Sequence, residues 1–342
     1  MIDLTERTLY VTSDPARLRI EAGSIRADHD DGSFDRFPLN GVDEIQIHGN
    51  STVTSQVVRA CTERDIAIVW FTRGGRFIAR TRPSTIGGVH LRIAQLRTHD
   101  DAESRLRVGR QIVGAKVLNS RTLLLDAAKD RPRGADHLRA IGEQLEHLAE
   151  SSRDADTSER LMGHEGAAAR LYMTALSDLT APPQFKFTAR SRRPPLDPMN
   201  ALLSFLYSML TSRCASALTS AGLDPQIGFL HSLRPGRDSL ALDLAEEFRA
   251  PFVDRLALTL VNRRQLTDHH FQQRVGGAVE LTKAGRSVVF RAWDEHLDAV
   301  VENRTTKTRS RRRDVPPRQA RLLAAHLRGE LSSYLPFRSI GR

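Results

Sequence analysis

The sequence is poor in cysteine. Cys61 and Cys214 are the only two in 342 residues, and they lie far apart. That argues against a disulfide framework and a cysteine-rich zinc site, and it fits a reducing cytoplasm. Long apolar runs are also missing. The longest, Ile66 to Phe71, is strand-sized, against the ~20 apolar residues that a membrane helix needs, so no membrane role is expected. The opening "MIDLTERTLY" carries Asp3 and Glu6 and has no apolar signal core. There is no internal repeat. There is no Gly-x-Ser-x-Gly elbow, so serine-hydrolase chemistry has no support. "GRQIVGAK", residues 109–116, resembles a phosphate loop, but it has one residue too many before Lys116 and no Ser or Thr after it.

What is present is positive charge. Lys and Arg total 51 against 41 Asp and Glu, a net charge of +10. Such a balance favours a polyanionic partner, nucleic acid above all. One biased run, "RTTKTRSRRR" at residues 304–313, has no acid in it. It reads as a mobile solvated loop or as extra grip on phosphate.

The patterning predicts an α+β protein. The first ~80 residues read as strands: "TLYVT", "RLRIEA" and "DEIQIHG" alternate, and Ser51 to Thr54 offer caps for a short helix, Ser55 to Thr62. "IAIVWFT" and "RFIAR" flank Arg73-Gly74-Gly75, a hairpin signal. "TRPSTIGGV", residues 81–89, is a Pro/Gly-rich joint, which puts a β-rich domain at 1–85 and a larger all-α domain at 86–342. Beyond it the spacing is helical. "DPMNALLSFLYSMLTSRCASALTSAG" is the most apolar helix, and "SLALDLAEEFRAPFVDRLALTLVNRR" reads as two helical pieces with Pro251 in the first turn of the second.

Three acid or histidine positions stand out. In "GHEGAAARLY", Glu165 lies between two glycines and shares a helix face with Ala168, Ala169 and Tyr172. Two glycines in a helix cost about 1 kcal/mol each relative to Ala. Either another helix packs closely there or something large must reach the acid. His231, in "GFLHSLRPGR", precedes a Pro-Gly turn with Arg234 and Arg237, and on its own reads as a satisfied histidine ending a packed helix. In "ALDLAEEF", Asp243 can share a face with Glu246 or with Glu247, and ordinary pairing to Arg249 or Arg237 is the plainer reading. Together the three regions offer a mixed oxygen and nitrogen ligand set. Carboxylates suit Mg²⁺ or Mn²⁺, and a neutral histidine tilts the choice toward Mn²⁺. The residues therefore admit metal-dependent phosphodiester chemistry, with flanking arginines on the phosphate. Spacing alone does not bring them together. Asp268-His269-His270, by contrast, reads as a solvated helix end.

With these stretches in view, the chain resembles the CRISPR-associated Cas-one (Cas1) family of endonucleases and integrases. The resemblance rests on "GHEGAAARLY", "RRPPLDPMNALLSFLY", "GFLHSLRPGRDSLALDLAEEFRAPFVDR", "GAVELTKAGR" and "QARLLAAHLRGELSSYLPF", in the family's order over most of residues 160–337. It implies an N-terminal β-sandwich-like domain followed by a helical catalytic domain. It implies a homodimer that flanks a small ferredoxin-fold partner, Cas-two (Cas2), and acts on double-stranded DNA, both the incoming prespacer and the CRISPR repeat. It puts the metal on Glu165, His231 and Glu246, with Asp243 as support. Basic residues near the phosphate fall on Arg234 and Arg249, with Arg237 beside them. Tyr207 and Asn200 fall on the apolar helix packed against the site. The expected reaction is attack of a 3′-hydroxyl on a phosphodiester. The alternatives are a nuclease acting on branched or single-stranded DNA and a non-catalytic nucleic-acid scaffold. The run 304–313 departs from the His-Pro-containing turn that many relatives carry.

Overall fold

The computed structural model describes residues 2–5, 7–12, 16–81, 88–131 and 134–341. The N-terminal strands form two sheets. β1 (Ile2–Thr5), β2 (Thr8–Val11), β6 (Glu44–His48), β8 (Ala67–Phe71) and β9 (Phe77–Arg80) make a five-stranded sheet in the order β1-β2-β6-β8-β9. β3 (Ala16–Glu21), β4 (Ser24–His29), β5 (Phe34–Pro38) and β7 (Thr52–Val53) make a four-stranded sheet in the order β5-β4-β3-β7. Helix α1 (Ser55–Thr62) follows β7 as expected, although Thr54 caps it without a side-chain bond. Alternation of apolar residues decides which sides meet. Leu9, Val11, Leu18, Ile25, Ile45, Ile47 and Ile68 from both sheets share one core with Val57 and Cys61 of α1. The β8–β9 hairpin turns at Gly75, whose φ of +81° lies in the left-handed region.

The expected joint falls on residues 82–87, outside the described residues. After it come α2 (Val89–Asp100), α3 (Ala102–Asp130), α4 (Ala135–Arg153), α5 (Ser158–Asp178), α6 (Pro198–Ser220), α7 (Ser239–Glu246), α8 (Arg255–Asn262), α9 (Lys283–Asp298) and α10 (Val315–Leu327). The caps are those that the local sequence supplies. Asp101 accepts from Ser104 N, Thr157 from Arg160 N, and Asp197 from Asn200 N with Pro198 at the first turn. The phosphate-loop look-alike is an interior stretch of α3.

Four expectations need correction. The second half is mostly helical but not all-α. β10 (Phe271–Gln273) pairs with β11 (Val279–Leu281), and β12 (Val300–Asn303) pairs with β13 (Thr308–Arg311). The basic run is consequently a hairpin and not a mobile loop. Its last arginine, Arg313, is buried against Asp298 at 2.5 Å. Pro251 does not open α8. It lies inside a π-turn, Arg249–Asp254, that leads into it. Finally, α6 is long and apolar enough to cross a membrane by length and composition, but 67% of that window is buried inside the protein. It is the core helix around which the others pack.

The two halves touch through aromatic rings. Tyr10 of β2 stacks on Phe290 of α9 at 4.2 Å, and His48 of β6 stacks on Phe71 while meeting Phe205 of α6. Burial lowers the His48 pKa to about 3, so this contact contains a neutral ring.

Candidate active site

The site forms where α3, α5 and α7 meet the irregular segment 223–238. Glu165 enters from α5 and Glu246 from α7. Between them stands Lys116 of α3, whose ammonium contacts Glu165 and lies 2.7 Å from Glu246 Oε2. Arg249 lies 3.0 Å from Glu246 Oε1, and His231 Nε2 is 3.8 Å from the same oxygen. Glu246 is 3% exposed. Burial pushes its pKa upward, but Arg249, Lys116 and His231 outweigh that and hold it at about 2. It is an ionised acid in a nearly dry setting.

His231 does not end a helix. It sits in the coil before α7, and Asp243 holds it there. The fully buried Asp243 carboxylate accepts from the backbone N–H groups of Phe229 (2.6 Å), Leu230 (3.0 Å) and His231 (2.9 Å). It also accepts from His231 Nδ1–H at 2.6 Å. A carboxylate can only accept, so this bond fixes the tautomer and leaves Nε2 as the nitrogen turned toward Glu246. Gly228 makes the approach possible. A Cβ there would fall 2.7 Å from Asp243 Oδ2 and 2.8 Å from the Ser239 backbone.

Glu247, the alternative to Glu246, faces elsewhere. It accepts from Tyr334 (2.5 Å) and Phe337 N (2.7 Å), which tie the C-terminal segment to α7. Burial raises its pKa to about 8 against those bonds.

The other expected residues divide into surface and interior. Arg234 is exposed and Arg237 half-buried, on the same segment as His231. Burial lowers the Arg237 pKa, and Arg234, Arg193 and Arg192 lower it further against the opposing charge of Asp243. Arg249 is interior. Besides pairing with Glu246, it lies 4.8 Å over the Tyr207 ring. Tyr207 donates to Asp254 at 2.5 Å, and Tyr172 donates to the other Asp254 oxygen at 2.7 Å. Asn200 is fully buried. Arg190 donates to its Oδ1 at 2.6 Å, and its Nδ2 donates to Ala189 O and Asp197. It fastens the start of α6 and offers no free group to a phosphate.

Sequence reasoning missed Lys116 and Asp254. Lys116 closes the rejected phosphate-loop pattern, and being the one lysine on an otherwise apolar stretch of α3 was its signal. Asp254 is brought beside Tyr207 by the π-turn, which spacing rules for an α-helix do not predict. Close packing does not account for the glycines around Glu165. A Cβ at Gly163 would meet nothing within 4 Å, and one at Gly166 only Arg170 at 3.8 Å. Among the described residues, no neighbouring helix comes within 4 Å of either position. Ala168, by contrast, is buried in the core.

The fold and the site together define a two-part α+β protein with an acid–histidine centre in its helical half. A profile of the family described as "CRISPR associated protein Cas1" matches residues 9–295. The chain is 42% identical over 340 residues to CRISPR-associated endonuclease Cas1 2 of Rhodospirillum rubrum, covering 96% of this chain and 97% of that one. A solved Cas1 protein from Thermotoga maritima superposes with a TM-score of 0.80 at 27% identity, over 98% of this chain and 100% of the other. A casposase bound to integration product shares the fold, with a TM-score of 0.84 at 21% identity over 96% and 92% of the two chains. The chain belongs to the CRISPR-associated Cas1 family.

Proposed function

We propose that this chain is a metal-dependent DNA integrase that joins the 3′-hydroxyl of incoming DNA to a phosphodiester of a CRISPR array. The observation that carries this reading is the convergence of Glu165 and Glu246 on one cation, the Lys116 ammonium, with His231 Nε2 facing the same carboxylate. Among the described residues no three His, Cys, Asp or Glu side chains are gathered at metal-holding distance. The donor set nevertheless fits a hard divalent ion: two carboxylates already share one cation, and the third donor has its tautomer set by Asp243. Glu165, His231 and Glu246 would hold Mg²⁺ or Mn²⁺ once Lys116 yields the position between the acids. A bound ion of this kind supplies Lewis-acid polarisation of the phosphodiester.

The chain's own residues do the rest. Asp243 keeps the imidazole aimed by accepting from its Nδ1–H. Arg234, Arg237, Arg192 and Arg193 attract and orient the phosphate backbone. The open flank at Gly163 and Gly166 leaves room for a polynucleotide to reach Glu165. Transesterification keeps the number of phosphodiesters constant, so no nucleotide triphosphate is needed. Family membership supports a homodimer working with Cas2 on double-stranded DNA. Two free, buried cysteines suit a reducing cytoplasm. The curated relative is named an endonuclease, which favours a second reading with water in place of the 3′-hydroxyl at the same residues.

The test is strand transfer of labelled duplex DNA with Mn²⁺ or Mg²⁺. Joined products from wild type, and none from Glu165→Ala, His231→Ala or chelated protein, are expected. Full joining by either variant overturns the assignment. Shortened strands alone select the nuclease reading.

A further inference from the structure

A cleft of about 300 Å³ opens where the C-terminal segment, the β12–β13 hairpin and the start of α8 meet the far end of α3. The C-terminal segment is laid along one face of α3. Asn119 donates to Phe337 O and accepts from Ser339 N, each at 2.9 Å. Asp126 lies two turns further along the same face. A Cβ added to Gly341 would fall 2.7 Å from Asp126 Oδ1, so the segment rests directly on that carboxylate. Asn303, the last residue of β12, bridges to Ser339, which brings the hairpin alongside. Its register puts Val300, Glu302 and Arg309 on one face, and all three line the cleft. Pro251 of the π-turn and Arg255 of α8 close it from the other side.

The wall of this cleft is unevenly charged. It carries the guanidinium groups of Arg255, Arg309 and Arg312 against the carboxylates of Asp126 and Glu302. Asp126 is buried and already serves two cations, Arg255 at 2.6 Å and Lys129 at 3.3 Å. Glu302 stands opposite Arg309 in the hairpin register. Arg312 is oriented by the end of α9, where its Nη1 donates to His296 O at 3.0 Å. With Lys129 included, four cations face two acids around one space. Water screens charge less in a half-enclosed cleft than in bulk, so the excess attracts an anion. Guanidinium forks match phosphate oxygens in geometry as well as charge. The volume is at the lower end of the range for ligand pockets, roughly 300–1,000 Å³.

We propose that this cleft is a phosphate-binding site, in which Arg255, Arg309 and Arg312 hold the oxygens of one phosphate group. The group belongs to the DNA backbone or is free phosphate, and the chemistry that recognises it is the same. Two arginines of the basic run 304–313 thereby gain a role as one wall of a binding site. The cleft is apart from the acid–histidine centre. Lys116 and Asp126 are ten residues apart on α3, about 15 Å along its axis. The π-turn joins the two places. Arg249 at its start pairs with Glu246, and Arg255, the residue after its end, pairs with Asp126. The site needs no metal and no strand exchange, so it stands whether or not the proposed function does.

The experiment is titration calorimetry of the full chain in chelator at fixed ionic strength, with inorganic phosphate in one arm and a short DNA duplex in the other. Arg309→Ala and Arg312→Lys should each weaken binding of at least one ligand about tenfold, the loss expected for a hydrogen bond to a charged group. Arg309 is exposed, so its variant should keep the wild-type melting transition. Arg312→Lys keeps the charge and removes the fork. Arg321→Ala, at an exposed position on α10 outside the cleft, should change neither affinity. Weaker phosphate binding with duplex binding intact identifies free phosphate as the ligand. Weaker duplex binding identifies the DNA backbone. Wild-type affinity for both ligands in either cleft variant overturns the proposal. An equal loss in Arg321→Ala, or a wild type that binds neither ligand, overturns it too. Failure of the integrase reading looks different: wild type would join nothing while the cleft variants still lost affinity.

Discussion

The Lys116 ammonium lies 2.7 Å from Glu246 while also contacting Glu165, so a single cation on α3 joins acids from α7 and α5. The two carboxylates would otherwise face each other with little water between them. The site is therefore held together by a charge that the sequence supplies, and the same charge competes with any metal ion for the space between the acids.

Lys116→Met should expose that balance. Removing one partner of a buried pair costs about 3–5 kcal/mol, and Arg249, which stays on Glu246, reduces the loss to about 2–4 kcal/mol. Chemical denaturation in chelator measures it. Added Mn²⁺ should restore more stability to the variant than it adds to wild type. A variant as stable as wild type in chelator would show that Lys116 does not neutralise the acids.

Asp243→Asn should damage joining through geometry. An amide NH₂ would turn a donor toward N–H groups of Phe229, Leu230 or His231, which already donate. The cost is about 1–3 kcal/mol of stability, with the histidine no longer locked in one tautomer. Strand transfer should fall much further than duplex affinity. Equal losses in the two assays would mean that Asp243 serves the fold alone.

Acid should weaken the protein through Glu246. Its folded pKa, about 2, is below the ordinary 4.5, so its contribution to stability is present above pH 4.5 and is lost as pH falls through 2. The difference corresponds to about 3 kcal/mol. Glu246→Gln cannot titrate there. Denaturation curves between pH 5 and 2 should show wild type losing that much more than the variant, and parallel losses would count against the ionised, paired acid described above.

Gly163→Ala and Gly166→Ala should each stabilise α5 by about 1 kcal/mol, because both glycines are helical and neither Cβ meets an obstacle. Gly163→Trp tests the other role. It should fold, yet impair joining if the bare flank is where DNA reaches Glu165. Normal joining by that variant would leave the glycines without a functional purpose.

Much of this was legible in the sequence, for definable reasons. Alternation marked β2, β3 and β6, the glycine turn marked the β8–β9 hairpin, and Asp197-Pro198 announced α6, because these signals are local. β10, β12 and β13 (FQQ, VVEN and TRSR) were missed because they show no alternation of apolar and polar residues, and β11 (VEL) is too short to show one alone. Asp243 and Glu246 were placed on one face by helix spacing, and the structure separates Glu247 from them. The link from Lys116 to Glu165 spans 49 residues and depends on how three helices pack, which no local pattern reports. The pairing of Glu246 with Arg249 was open to local reading because the two are three residues apart, whereas the Tyr207 ring under Arg249 comes from a distant helix and was not.

Gly228 brings a consequence for how this site can evolve. It has no functional group, yet only a residue without a Cβ lets the chain pass so near Asp243 and Ser239. Any side chain there would push away the loop that carries His231. Gly228 and Asp243 should therefore be inherited as a pair. A lineage that loses the glycine should also lose the acid, even where the histidine persists.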